Sequence, residues 1–156
     1  MLINSDREKQ RQMSKNRFKK ILVALDGSAN SRRGMNEAIS LARQSEATIS
    51  GVYVVPGFPT DVAPSSVKDY KEYLLGKASK FMADAKTNAG RHGIEFQDTI
   101  VTSDDTANSI ANYSKSSRAN IIVIGARGQG SPKSAYLGSV SNGVLQSSKI
   151  PVLVVK

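Results

Sequence analysis

The sequence has no cysteine and no tryptophan, a single histidine and few aromatic residues. Without cysteine there is no disulfide, no zinc–thiolate centre and no thiol nucleophile. One histidine, His92, and no cysteine leave no support for a Ser-His-Asp or Cys-His nucleophile system. No stretch approaches the roughly 18 uninterrupted apolar residues of a membrane helix. Residues 1–20 are polar throughout and lack the apolar centre of a secretory signal. The expectation is a cytoplasmic protein without membrane contact.

What is present fits one domain. The 156 residues are 39% hydrophobic and 22% charged, enough apolar material for a single core and too much for a wholly disordered chain. The net charge of +9 resembles a nucleic-acid signature until it is located. Residues 1–20 hold Arg7, Lys9, Arg11, Lys15, Arg17, Lys19 and Lys20 against Asp6 and Glu8, more than half of the excess. Residues 1–17 therefore read as a basic, flexible extension that keeps the protein soluble, with loose contact to anionic partners as the lesser reading. Nucleic acid is not the expected partner.

From Phe18 onward, apolar runs alternate with helical periodicity. Ile21-Leu22-Val23-Ala24-Leu25 is a buried strand stopped by Asp26-Gly27-Ser28. Met35, Ala38, Ile39 and Ala42 then fall at helical spacing behind a cap at Ser28 or Asn30. Residues 48–55 form a second strand, and residues 57–65, with Pro59 and Pro64, a loop. A long helix carries Val67, Tyr70, Leu74, Ala78, Phe81, Ala85 and Ala89 as one core stripe, with Ser66 and Asp69 as a cap-like start. His92 lies between Gly90 and Gly93, where that helix should stop and its ring should meet the terminus or solvent.

Residues 95–101 read as a third strand. Asp104-Asp105 then opens a helix whose inner face is Ala107, Ile110 and Ala111, the carboxylates suiting its positive end. Ile121-Ile122-Val123-Ile124 is a fourth strand, residues 138–148 a helix with Val140, Val144 and Leu145 at helical spacing, and Pro151-Val152-Leu153-Val154-Val155 a fifth strand. Alternation of this kind specifies an α/β fold: a single doubly wound domain over residues 18–156. In such sheets ligands bind beyond the carboxyl ends of the strands. The pairs Asp104-Asp105 and Asp61/Asp69 lack the pattern of a metal cage and read as capping or solvated.

The informative loop runs from Gly125 to Ser141. Its glycines let backbone N–H groups approach an anion, and Gly138-Ser139 falls where a helix begins, a favourable place for phosphate. Ser139 and Ser141 add hydroxyls, and Arg127 and Lys133 positive charge. Lys133-Ser134 is not the end of a P-loop, because Arg127 and Pro132 stand where that motif needs glycine. Gly128 and Gly130 do not make a dinucleotide fingerprint, because Lys133 holds the third position and the loop follows the fourth strand.

What does fit is G-x2-G-x9-G-[S/T], met by Gly125, Gly128, Gly138 and Ser139. With the strand ending in Asp26-Gly27-Ser28, the strand ending in Val54-Val55-Pro56, and the closing apolar strand, residues 18–156 resemble the ATP-binding branch of the universal stress protein family. The resemblance implies a five-stranded parallel sheet of order 3-2-1-4-5. It places the backbone of Val54 at the adenine edge and Asp26 near the ribose and phosphates, with Ala24 also among the nucleotide-binding residues. Gly125, Arg127, Gly128, Gly138, Ser139, Val140 and Ser141 would enclose the ribose and phosphates. It also implies ATP, or AMP or ADP, with Mg²⁺, and a homodimer through residues 151–155. No residue is given a catalytic role; a slow ATPase or phosphotransferase at the same site is the alternative, and a nucleic-acid-associated protein using the basic tail a third reading.

Overall fold

Each apolar run in the sequence becomes a strand, and the strands lie side by side in parallel. The computed structural model describes residues 2–15, 17–57, 63–134 and 136–156. Pro59 and Asp61 lie outside them. The elements are α1 (Leu2–Lys15), β1 (Lys20–Ala24), α2 (Ala29–Ser45), β2 (Thr48–Val55), α3 (Pro64–Arg91), β3 (Phe96–Thr102), α4 (Thr106–Ser116), β4 (Ile121–Gly125), α5 (Ser139–Ser147) and β5 (Val152–Val155). The sheet order is β3-β2-β1-β4-β5, with every pairing parallel.

Strand β1 is central and its apolar residues point both ways. Ile21, Val23 and Leu25 pack under α2 and α3 with Met35, Ile39, Met82 and Phe96. Leu22 and Ala24 pack on the other face with Val52, Ile110, Ile122 and Val144, beneath α4 and α5. A continuous apolar run is what two covered faces require. With α2 and α3 on one face and α4 and α5 on the other, the order in which strands are added reverses between β1 and β4, and a crevice opens at their carboxyl ends.

Local chemistry sets the helix starts. Ser28 caps α2, its hydroxyl accepting from Ser31 N at 3.1 Å. Asp105 caps α4, accepting from Asn108 N at 3.1 Å and from Asn108 Nδ2 at 2.6 Å. Those two bonds favour the carboxylate and hold Asp105 below its ordinary pKa. His92 closes α3, its Nδ1 2.8 Å from Asn88 O.

Several expectations change. Residues 2–15 form a helix that the sequence reading did not assign; the segment between Ile3 and Gln12 holds no glycine or proline and is rich in Glu, Lys, Arg and Gln, all good helix formers. The long helix begins at Pro64 after Ala63, without a side-chain cap, so Ser66 and Asp69 do not start it; proline's fixed φ suits a first turn. Its core stripe is Ala78, Met82, Ala85 and Ala89, with Phe81 partly buried, whereas Tyr70 is 51% exposed and Leu74 half-buried. A 28-residue helix spans about 42 Å, against about 26 Å for β2, so its first turns overrun the sheet. Leu145 is likewise exposed, because the nine residues of α5 bury only the line through Ser141 and Val144.

Candidate functional site

The crevice between β1 and β4 gathers residues far apart in the chain. Ala24, Asp26, Val54, Gly125, Arg127, Gly128, Gly138, Ser139, Val140 and Ser141, all singled out from the sequence, line one cavity. The cavity has two chemically distinct ends. Ala24, Val52, Val54, Ile110 and Ile124 make an apolar end, continuous with the core beneath α4 and α5. Asp26, Arg127, Gly128, Ser139 and Ser141 make a polar one.

The polar end is built from backbone. The first intrahelical bond of α5 runs from Asn142 N to Gly138 O at 3.0 Å, so the amides of Ser139, Val140 and Ser141 precede the ladder. Gly138, the cap, offers no side chain to satisfy them. These amides and the positive helix end form an anion-attracting tip. The tip is fixed to β4 by Gly138 N donating to Ala126 O at 2.7 Å and by Ser141 Oγ donating to the same oxygen at 2.7 Å. Ala126 N in turn donates to Val155 O at 2.6 Å, which ties the loop to the edge strand. Ser141 is thus a buried anchor rather than an exposed phosphate donor.

Asp26 holds the other wall. Its Oδ1 accepts from Ser28 N at 2.9 Å and its Oδ2 from Gln129 N at 2.9 Å, joining the β1–α2 turn to the glycine loop. The second bond depends on Gly128, where a Cβ would lie 2.5 Å from Asp26 Oδ2. Arg127 donates to the carbonyl of Lys133 and is half-buried, while the Lys133 side chain is exposed. Gln129 N and the Asp26 carboxylate therefore close the glycine loop across the crevice.

At the apolar end, β2 outruns β1. Their ladder ends at Ala24–Val52, with Leu25 N donating to Val52 O at 2.9 Å. Val54, two residues on and facing the same way, has no ladder partner on that side among the described residues. Its N–H and C=O present an adjacent donor and acceptor above apolar walls, a pattern that suits the edge of a purine. Burial pushes the Tyr53 phenol upward, with Asp26 and Tyr70 adding and Lys77 opposing, so Tyr53 stays neutral beside the crevice.

The sequence reading missed Tyr53, Thr106, Gln129 and Ser131, which also line the cavity. Thr106 could have been suspected, since it opens α4 directly after Asp104-Asp105. Gln129 lies inside the glycine loop but acts through its amide, which no side-chain pattern reveals. Among the described residues no cluster of three or more His, Cys, Asp or Glu could hold a metal ion. Any cation here would be carried by a phosphate ligand, with Asp26 the carboxylate within the crevice.

The fold and the crevice define a doubly wound α/β domain with a polar-and-apolar cleft at the switch point of its sheet. The sequence model of the universal stress protein family matches residues 17–156, and the chain belongs to that family. Universal stress protein YxiE of Bacillus subtilis is 32% identical over 150 residues, covering 89% of this chain and 99% of the relative. The solved structure of universal stress protein UspA from Lactobacillus plantarum superposes with a TM-score of 0.77 at 23% identity, covering 90% of this chain and 99% of that one. A universal stress protein from Archaeoglobus fulgidus, solved in complex with dAMP, has a TM-score of 0.64 at 21% identity and covers 90% and 99%. Among the described residues no helix is long and apolar enough to cross a membrane.

Proposed function

We propose that this chain binds an adenine nucleotide in the crevice between β1 and β4, with ATP and its Mg²⁺ as the full ligand and AMP or ADP as competitors. The reading rests on one observation: the cavity is apolar at the unpaired backbone edge of Val54 and anion-attracting at the open amides of α5. A base with a hydrogen-bonding edge, joined to a phosphate chain, matches both ends at once. The dAMP held by the Archaeoglobus protein is in keeping with it. Ala24 and Val54 contact the base, Asp26 the ribose, and Gly128, Gly138, Ser139 and Val140 the phosphates. Gly125 and Ser141 shape the loop from behind. Asp26 is the carboxylate that would help hold Mg²⁺ with the phosphates, and the ion would supply neutralisation of their charge.

The role is regulatory: occupancy orders the loop between Gly125 and Gly138, and partners read that loop. Phosphoryl transfer needs a positioned water and a base, and in this crevice Asp26 is already engaged by two backbone amides. Calorimetry with Mg²⁺-ATP is expected to show one site. At a hundredfold excess over Kd the ligand adds about 2.7 kcal/mol of stability, which raises Tm by about 5–10 °C for a chain of this size. Phosphate release should show no multiple turnover within minutes. Absence of any adenine-nucleotide signal at millimolar concentration defeats the reading.

We also propose a homodimer through β5. It is an edge strand with Leu153 exposed and Val152, Val154 and Val155 half-buried, and such an edge can pair with a second copy. Sedimentation velocity at micromolar concentration is expected to show a dimer that Leu153→Lys returns to monomer. A wild-type monomer overturns this.

A further inference from the structure

The end of the sheet opposite the crevice carries a concentration of positive charge that only the fold assembles. All five strands are parallel, so their amino ends, and the turns and helix ends that feed them, share one rim. Arg17, Lys19 and Lys20 enter β1 there, Arg43 ends α2, and Arg91 ends α3. Lys115 and Arg118 lie in the α4–β4 turn region, and Lys149 precedes β5. All eight are exposed, against two carboxylates at the same end, Glu46 and Glu95. His92 lies there too. Helix α1 reaches the domain through this end, with Arg7, Lys9 and Arg11 exposed along it beside Asp6 and Glu8.

Part of this charge is structural. Lys19 Nζ donates to Ser45 O at 3.2 Å and Lys20 Nζ to Ser117 O at 3.1 Å, satisfying helix carboxyl ends. The rest goes beyond that need. The single ion pair among the described residues is Lys68–Glu72 on α3, so Arg43, Arg91, Lys115, Arg118 and Lys149 have no carboxylate partner there. Five strands at about 4.8 Å spacing make the rim roughly 20 Å wide, long enough to follow several phosphates of a polyanion.

We propose that this rim binds the phosphate backbone of a nucleic acid without reading its sequence. The chemistry of the surface selects that partner. A protein partner would need a cluster of apolar or aromatic anchors, and among the described residues the only exposed large hydrophobic of the folded domain near a rim-side helix end is Leu145, while Tyr70, Tyr73, Ile100, Tyr136 and Leu153 lie elsewhere. A membrane-surface helix needs an apolar face, and between Ile3 and Gln12 α1 offers Ile3 alone. No exposed aromatic at the rim provides a stacking platform, so contact with phosphates rather than bases is what the residues can make. The rim and the nucleotide crevice lie at opposite strand ends, so either proposal can fail while the other stands.

The test is fluorescence anisotropy of the full chain with a labelled DNA duplex of about 24 base pairs, between about 50 and 200 mM salt. Wild type should bind with a steep linear fall of log affinity with log salt. Arg91→Gln, Lys115→Gln and Lys149→Gln together should weaken binding at least tenfold and lower the salt slope by about 3, roughly one per contact. Lys68→Gln, Lys71→Gln and Lys80→Gln on α3, with the same change in net charge, should leave the affinity within about twofold. Equal weakening by both triples reduces the effect to net charge and overturns the proposal. No duplex binding at low salt, or binding of phosphatidylserine vesicles in preference to duplex, also overturns it. Circular dichroism melts check folding; should the rim triple unfold, Lys149→Gln, in a turn, is expected to lower the slope by about 1.

Discussion

Gly138→Val is expected to lose adenine-nucleotide binding while the protein stays folded. Gly138 has φ −75° and ψ 164°, an extended conformation that valine accepts without strain. A Cβ there would lie 2.9 Å from Ser131 Oγ, a side chain that can rotate, and 3.5 Å from Ala126 O and Arg127 Cα. The branched side chain stands at the mouth of the α5 tip and keeps a phosphate from the amides of Ser139 and Val140. Each hydrogen bond to a charged group contributes about 1.5–3 kcal/mol, so losing two weakens binding by about a hundredfold or more. Calorimetry reads that loss, and a melt within a few degrees of wild type shows that the fold survives. Wild-type affinity in a folded Gly138→Val protein removes the helix tip from the site, and Gly138→Ala gives a smaller version of the same test.

Gly125→Ala is expected to do the reverse and destabilise the whole domain. A Cβ at Gly125 would lie 2.8 Å from Asn30 C, 2.9 Å from Asn30 Cβ and 2.9 Å from Ser31 N. Two of those atoms belong to the main chain of the first turn of α2. That turn is held by the Ser28 cap and by Asp26 and cannot simply step aside. Overpacking a rigid site costs about 1–3 kcal/mol, and this contact is at the upper end, corresponding to a fall in Tm of roughly 5–10 °C. Thermal denaturation without nucleotide measures it. An unchanged melt shows that α2 moves freely over β4, against the packing described above. Two glycines of one motif thus do separate work: Gly138 leaves the tip of α5 uncovered, and Gly125 leaves room for a helix.

The motif reads as a unit in the sequence because its spacing serves both needs. Four positions in G-x2-G-x9-G-[S/T] carry no side-chain chemistry beyond a hydroxyl, so they signal backbone geometry, and backbone geometry is what the crevice uses. The reading fell short where function passes through an amide or a neighbouring element. Gln129 contributes its N–H to Asp26, and any residue but proline could do so. Ser141 looked like a phosphate donor and is an anchor on Ala126 O, because the start of α5 turns its hydroxyl inward. Tyr70 has the helical spacing of a core residue, yet α3 is longer than the sheet it covers, so periodicity alone extended the core too far.

By itself the sequence determined the alternation of buried strands and amphipathic helices, and with it a parallel doubly wound sheet, because apolar period and turn chemistry are local. The glycine spacing located the anion-attracting loop for the same reason. Tertiary structure alone decided that Val54 outruns β1 and presents a bare backbone edge, and that Asp26 clamps Gln129 across the crevice. It also brought lysines and arginines from separate segments to one rim. These depend on strand register and on contacts between segments more than a hundred residues apart, as for Asp26 and Gln129. No local pattern records such distances, since they are fixed only when the strands align and close the sheet.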